Sequence, residues 1–274
     1  MDIPIKIIST DFDGTVHTEG EYPPVPRLLQ DLIGTLQDRG AKWVINTGRT
    51  LAELLEILDR ARLHVHPDYL VVVEHEIHAL NQLGYVQWPD WNQRCRLDQK
   101  KLFARILPAL PPFFDWIKAH YSATVYSDAY SPFCLVAKDN ADTDAILLRL
   151  KSIFQDVPEL AVMRNDVYAR LSHAAYNKGT ALAEIARRLG VGPEQVFAAG
   201  DHWNDLPMLS AHYARWLVAP ANAVPEVKAA VRRQQGFVSA HPCGYGVAHG
   251  LAFCLAQAKS PRTPKTTGSN HKPK

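Results

Sequence analysis

Cysteine is scarce in this sequence: four residues in 274, Cys95, Cys134, Cys243 and Cys254, with no CxxC pair among them. That is too little and too scattered for a disulfide scaffold or a zinc knuckle, and it points to a reducing compartment. Long apolar runs are missing as well. Nowhere do eighteen apolar residues follow one another, and Met1 to Lys6 carry Asp2 and Pro4 and lead straight into a short strand rather than into the apolar core of a signal peptide. The reading is a soluble, cytoplasmic protein with no membrane partner. Charge of one sign is also absent. The formal net charge is +2, and five of the basic residues (Lys259, Arg262, Lys265, Lys272 and Lys274) lie in an acid-free stretch at the C-terminus, so the remainder is three negative. No basic domain is left to suggest a nucleic-acid partner. The twelve histidines show no metal-ligand spacing, and no internal repeat is visible. What is present, 47% apolar and 21% charged residues, is ordinary globular usage, and the length accommodates about two domains.

The chain alternates short apolar strands with amphipathic helices. Ile5 to Thr10 is rich in β-branched residues and stops at Asp11-Phe12-Asp13-Gly14-Thr15, as a buried parallel strand does on breaking into a loop. Pro26 to Arg39 sets Leu28, Leu29, Leu32, Ile33 and Leu36 at helical spacing. Lys42 to Thr47 predicts a second strand, Thr50 caps a helix through Arg62, and Tyr69 to Val73 predicts a third strand. This rhythm implies βαβ units, so the expected fold class is α/β, a Rossmann-like parallel sheet with helices on both faces. After Glu74 the rhythm changes. Tyr85 to Trp91 reads as part of a hairpin, and Gln99 to His120 as helix broken by prolines. Ser122 to Lys138 reads as two strands about an Asp128-Ala129-Tyr130 turn, Ala141 to Gln155 as a helix, and Leu160 to Arg164 and Tyr168 to His173 as two more strands. The order predicts an inserted α+β unit whose small antiparallel sheet is covered by helices on one face. The first pattern resumes at Lys178 and ends in a helix from Tyr245 to Ala256. The expected division is 1–78 and 172–258 for the parallel unit, 79–171 for the insert, and 259–274 for a disordered basic tail.

Four polar clusters stand where strands of the parallel sheet end or helices begin: Asp11 with Asp13, Thr47, Lys178, and Asp201 with Asn204 and Asp205. Ligands of open α/β sheets bind outside the carboxyl ends of the strands, which favours one shared site. The i, i+2 spacing of Asp11 and Asp13 puts both on one side of an extended backbone. Four acids in one crevice repel one another, and the arrangement makes sense around a hard divalent cation held by oxygen. Lys178 and the Thr47 hydroxyl would supply a point charge and a donor for an incoming phosphate, whose transfer needs charge neutralisation and in-line positioning.

Taken in order, Asp11-Phe12-Asp13-Gly14-Thr15, Asn46-Thr47-Gly48-Arg49, Asn177-Lys178-Gly179-Thr180-Ala181-Leu182 and Gly200-Asp201-His202-Trp203-Asn204-Asp205 resemble the four motifs of the haloacid-dehalogenase-like superfamily. The resemblance implies a Mg²⁺-dependent phosphomonoester hydrolase. Asp11 would be the nucleophile that becomes an aspartyl phosphate, and Asp13 the general acid and base. Thr47, Gly48, Lys178 and Asn204 would hold the phosphate. Asp11, Asp13 (through its carbonyl), Asp201 and Asp205 would hold the metal. Because the insert lies between the Thr47 and Lys178 motifs, it resembles a C2-type cap, and the last motif resembles the Cof-like branch related to sucrose-phosphate and mannosyl-phosphoglycerate phosphatases. The implied partner is a small phosphorylated metabolite, most simply a sugar phosphate. A phosphomutase or phosphotransferase of hexose phosphates, and a sugar-phosphate-binding protein without turnover, are the alternatives. One departure stands out: where many Cof-like members have Asn-Gly-Ala after the third strand, this chain has Glu74-His75-Glu76.

Outside the motifs, His75 and Glu76 are expected to contact substrate from the hinge, together with Arg49, for which pairing with a nearby acid is the competing reading. Arg164-Asn165-Asp166 form a turn that could meet a second anion or simply face water. Trp88 and Trp91 are expected to pack on a helix rather than stack on a sugar, and His17 to lie on the surface of the motif loop.

Overall fold

The computed structural model describes residues 3–259; the expected tail from Ser260 onward lies outside them. Its main sheet is eight-stranded. From β1 (Ile7–Thr10) the chain steps one way through β2 (Lys42–Asn46) and β3 (Tyr69–Val72), and later returns on the other side through β10 (Val196–Ala199), β11 (Trp216–Ala219) and β12 (Phe237–Val238). All of these pair in parallel. The order therefore reverses between β1 and β10, and the crevice at their carboxyl ends is the switch point at which such sheets bind ligands.

The period of two along each strand sorts side chains to the two faces. Ile8, Trp43 and Ile45 share a core with Leu29, Ile33 and Leu36 of α1 (Arg27–Gln37), Leu54 of α2 (Leu51–Ala61), and Val247 and Leu251 of α8 (Cys243–Lys259). Ile7, Val44 and Val71 meet Leu182 and Ile185 of α6 (Lys178–Leu189) and Val227 and Val231 of α7 (Pro225–Arg233) on the other face. Each fully buried Leu, Ile or Val removed from water stabilises the sheet by roughly 1.5–3 kcal/mol before entropy is counted. The α/β class with helices on both faces is thus what the chain adopts.

The insert carries its own sheet, ordered β6 (Thr124–Tyr126), β7 (Cys134–Val136), β9 (Tyr168–His173), β8 (Leu160–Asn165) and antiparallel throughout. One face packs on α4 (Leu110–His120) and α5 (Asn140–Ile153) through Phe113, Ile117, Ile146 and Leu150. Ala169 and Leu171 point into that core, which leaves Tyr168 and Arg170 for the opposite face.

Two segments differ from the sequence expectation. The hairpin of β4 (Glu76–Asn81) and β5 (Gly84–Gln87) joins the main sheet antiparallel beside β3 rather than the inserted unit. The tight turn at 73–75 lets β4 double back on β3, so an edge that a crossover helix would otherwise serve is extended by simple reversal. Trp91 lies not in that hairpin but in α3 (Pro89–Ile106), which starts ten residues before the expected Gln99. Pro89 takes the first helical position, where the missing N–H costs nothing. Pro111 and Pro112 likewise sit in the first turn of α4, so they restart a helix where the sequence suggested only breaks.

Candidate active site

At the switch point the backbone N–H of Asp11 donates to the Ala199 carbonyl at 2.9 Å, carrying the β1–β10 ladder one residue past the strand. Phe12 is fully buried in the core, so its two neighbours turn the other way. Lys178 opens α6 just after its cap: the Asn177 side chain accepts from the N–H groups of Gly179 and Thr180 at 2.9 and 3.1 Å. From there Lys178 Nζ donates to Asp11 Oδ1 and to Asp205 Oδ1, both at 2.6 Å. Asp205 Oδ2 accepts from the backbone N–H groups of Asp201 and His202 at 2.8 and 2.9 Å, which folds the 201–205 loop back on itself.

Oxygens of Asp11, Asp201 and Asp205 come within 4.8 Å of one another. Burial, then the charge of Asp205, pushes the Asp11 carboxyl well above its usual range, with Lys178 opposing. The same causes push Asp201 up to about 6, against a hydrogen bond from Thr15. Burial works against the Lys178 ammonium too, but Asp11, Asp205 and Glu74 more than offset it and hold it protonated. One cation therefore serves a crowd of carboxylates, and an all-oxygen set of this kind suits a hard divalent ion, which would relieve the repulsion. Asp205 is wholly buried and does not line the cleft, so Asp11 and Asp201, which do, are the better placed to hold it. Thr15 Oγ1 donates to Asp201 Oδ1 at 2.6 Å, and Asn222 Nδ2 donates to the Gly14 carbonyl at 2.8 Å and to Asp201 Oδ2 at 3.4 Å. Gly14 sits at φ +73°, and a Cβ there would stand 2.7 Å from Asp201 Oδ2, so both backbone and space demand glycine.

Asp13 departs from the expected group of four acids. Its carboxylate, 42% exposed, accepts from Arg49 Nε and Nη2 at 2.6 and 2.8 Å. It faces the cleft but stands apart from the other three acids, and Arg49 is its partner, the acid-pairing reading of that residue. Thr47 is buried on the cleft floor and its Oγ1 accepts from the Arg49 N–H at 3.2 Å, leaving the hydroxyl proton for a ligand. Gly48 and Asn204 line the same cleft, whereas Lys178 is fully buried and does not reach its surface.

The cleft holds about 540 Å³, within the range of small-molecule sites. Its upper wall comes from the insert: Tyr126, Asp128 and Tyr130 around the β6–β7 turn, and Asn165, Tyr168 and Arg170 from β8 and β9. Arg164 and Asp166 point elsewhere, Arg164 to Asp144 and over the Trp203 ring, and Asp166 to Asn140. Trp88 packs edge-on against Tyr69 of β3 and Trp91 against Tyr176 in the loop before α6, and neither lines the cleft; His17 stacks on Phe12 with its Nδ1 3.8 Å from Asp13.

His75 and Glu76 do not line the cleft. Glu76 pairs with Arg96 at 3.1 Å. His75 is buried, its Nε2 3.2 Å from Gln99 Nε2 and its carbonyl accepting from Trp91 Nε1 at 2.8 Å. The residue that faces the cleft is Glu74, one position earlier. The sequence signal that could have found it is the acid standing where a turn calls for glycine. Burial, helped by the charge of Arg170, lowers the His75 imidazole from 6.5 to about 3. The unfolded chain thus takes up a proton near 6.5 that the folded chain refuses until about 3. This contribution is whole above 6.5 and is lost at about 1.4 kcal/mol per pH unit as pH falls through that window. His75→Gln is expected to flatten the loss, read as a smaller fall in urea midpoint between pH 7 and pH 5 than in the wild type.

A family model described as haloacid dehalogenase-like hydrolase matches residues 115–251. The Bacillus subtilis (strain 168) protein YxeH is 26% identical over 280 aligned residues, which cover 90% of this chain and 97% of that one. The mannosylfructose-phosphate phosphatase of Agrobacterium fabrum is 25% identical over 239, covering 85% and 90%. Among solved structures, the sucrose-phosphatase of Synechocystis sp. PCC6803, in complex with sucrose and phosphate, superposes with a TM-score of 0.70 at 18% identity, covering 92% of this chain and 98% of that one. Among the described residues no helix is long and apolar enough to cross a membrane.

Proposed function

Because the chain belongs to the haloacid dehalogenase-like hydrolases, we propose that it is a Mg²⁺-dependent phosphatase that cleaves a small phosphomonoester, a sugar phosphate, through an aspartyl phosphate on Asp11. The observation that carries this reading is the buried Asp11 carboxylate lining the cleft, with Lys178 at 2.6 Å and Asp201 and Asp205 beside it. In this reading residues from about Pro89 to Leu171 act as a cap, and the main sheet with its helices is the catalytic core.

Asp11 attacks phosphorus and the bond to the leaving oxygen breaks, with Asp13 giving that oxygen its proton. Water then attacks the aspartyl phosphate, Asp13 takes the proton back, and the bond from phosphorus to Asp11 breaks. Asp13 does this at the cleft surface, so its carboxylate must exchange Arg49 for the substrate when the ester enters. Thr47 and the Gly48 N–H orient the phosphate, Asn204 flanks it, and Lys178 favours the charged form of Asp11 from behind, against the burial and the Asp205 charge that raise it. Asp11 and Asp201 would hold Mg²⁺, whose charge would offset that of the incoming phosphate. The names of the sugar phosphatases among the relatives support the sugar ester. In a panel of sugar, nucleotide and vitamin phosphates, inorganic phosphate is expected to appear with Mg²⁺ and to vanish with chelator. Phosphoryl transfer between hexose positions with little free phosphate would instead make the protein a mutase, and no reaction at all would sink the reading.

A further inference from the structure

Glu74 is unexplained by the reaction above. Its carboxylate is buried, with 4% of the residue exposed, yet it lines the cleft between the phosphate floor and the β8–β9 hairpin. Its backbone is left-handed at φ 74°, and Val73 before it, a β-branched residue, is left-handed too at φ 45°. Two consecutive side chains in that region cost free energy that a glycine would spare. The turn persists because it is tied on three sides: Val73 N–H donates to the Arg49 carbonyl at 2.9 Å and Glu74 N–H to the Thr47 carbonyl at 3.0 Å. From the insert, Arg170 Nη2 donates to the Val73 carbonyl at 2.8 Å. Glu74 Oε1 accepts from Asn204 Nδ2 at 2.9 Å, while Oε2 accepts from none of the described side chains. Gly48 leaves room for this group, since a Cβ there would lie 2.8 Å from Oε1.

The surrounding charges limit what can sit beside it. Among the described residues three guanidinium groups stand around it and each has an acid beside it: Arg49 holds Asp13, Arg164 pairs with Asp144, and Arg170, whose Nη2 goes to the Val73 carbonyl, has Asp128 4.0 Å away. A leaving group that set a carboxylate or second phosphate beside Glu74 would meet that acid and Asp128, with Arg170 already shared between Asp128 and the Val73 carbonyl and, among the described cleft residues, Arg49 left to answer it once Asp13 turns to the substrate. A hydroxyl would find an acceptor.

We propose that Glu74 is a specificity-determining residue: its free carboxylate oxygen accepts a hydrogen bond from a hydroxyl of the leaving group and turns away phosphorylated acids, so that the substrate is the phosphate ester of an uncharged polyol. This rests on the phosphatase reading and deepens it. A buried acceptor that must be matched discriminates strongly between a substrate that supplies the donor and one that does not.

The test compares kcat/KM for glucose 6-phosphate and 2-phosphoglycolate in the wild type, Glu74→Gln and Glu74→Gly, the last chosen because glycine takes φ 74° without strain and so keeps the turn. The wild-type ratio is expected to favour the sugar ester, and to fall about tenfold or more in both variants, with phosphoglycolate gaining most in Glu74→Gln, where an amide donor replaces the anion. A wild-type ratio favouring the acid, or a ratio that neither variant moves, overturns the proposal. If the wild type releases phosphate from no ester at all, the phosphatase reading fails by itself. The same ratio is then read as calorimetric Kd values for the two esters on Asp11→Asn protein, and is expected to move in the same direction on substitution of Glu74.

Discussion

Asp11→Asn is expected to lower phosphate release by about 10⁴-fold or more, the usual scale for removing a nucleophile whose companions remain in place. Asparagine has the shape of aspartate, so Lys178 keeps an oxygen to donate to where Asp11 Oδ1 now stands at 2.6 Å. The amide cannot form the acyl phosphate, and it removes one member of a carboxylate crowd whose burial and mutual repulsion raise Asp11 well above its ordinary range. Stability should therefore hold or rise as activity disappears. A variant that unfolds earlier than the wild type in chelator would mean that the Asp11 charge is needed by the fold. A variant that retains a tenth of the activity would mean that the nucleophile lies elsewhere. Phosphate release and a thermal melt on the same preparation, each with Mg²⁺ and with chelator, separate these outcomes.

Asp11, Thr47, Lys178 and Asp201 were legible in the sequence because each stands where a short apolar run ends or a capped helix starts, and both signals are local. The α/β class was legible for the same reason. What the sequence left hidden depends on residues meeting across distance. Nothing near Asn222 announces that its amide reaches Gly14 and Asp201. Arg170 looks like any charge on a short strand until Ala169 and Leu171 claim the helix-covered face and turn it toward the cleft. The expectation for His75 and Glu76 erred by one residue. Periodicity places the strand end but not the left-handed pair at Val73 and Glu74, and one residue of phase along a strand exchanges the two faces. The early start of α3 was missed because Trp88 and Trp91 resemble strand aromatics, whereas Pro89 between them marks a helix start.

Lys178 carries the heaviest structural consequence in the site. Its ammonium is wholly buried between Asp11 and the fully buried Asp205. Replacing it with methionine, similar in length and apolar, leaves two carboxylates out of water without their cation. Removing one partner of such a group costs about 3–5 kcal/mol, which in a chain of this size lowers the melting temperature by roughly 10 °C. Activity should fall by at least about 10²–10³-fold, the scale for losing one preorganised donor, because Asp11 then holds its charge poorly. The two losses have different origins and can be pulled apart. Asp205 Oδ2 would still accept from the N–H groups of Asp201 and His202, so adding Asp205→Asn to Lys178→Met removes a buried charge while the other oxygen goes on ordering the loop. The double variant should recover much of the melting temperature and none of the activity. Recovery of both would reduce Lys178 to a partner of Asp205 alone, and recovery of neither would place the damage in packing around the aliphatic stem rather than in charge.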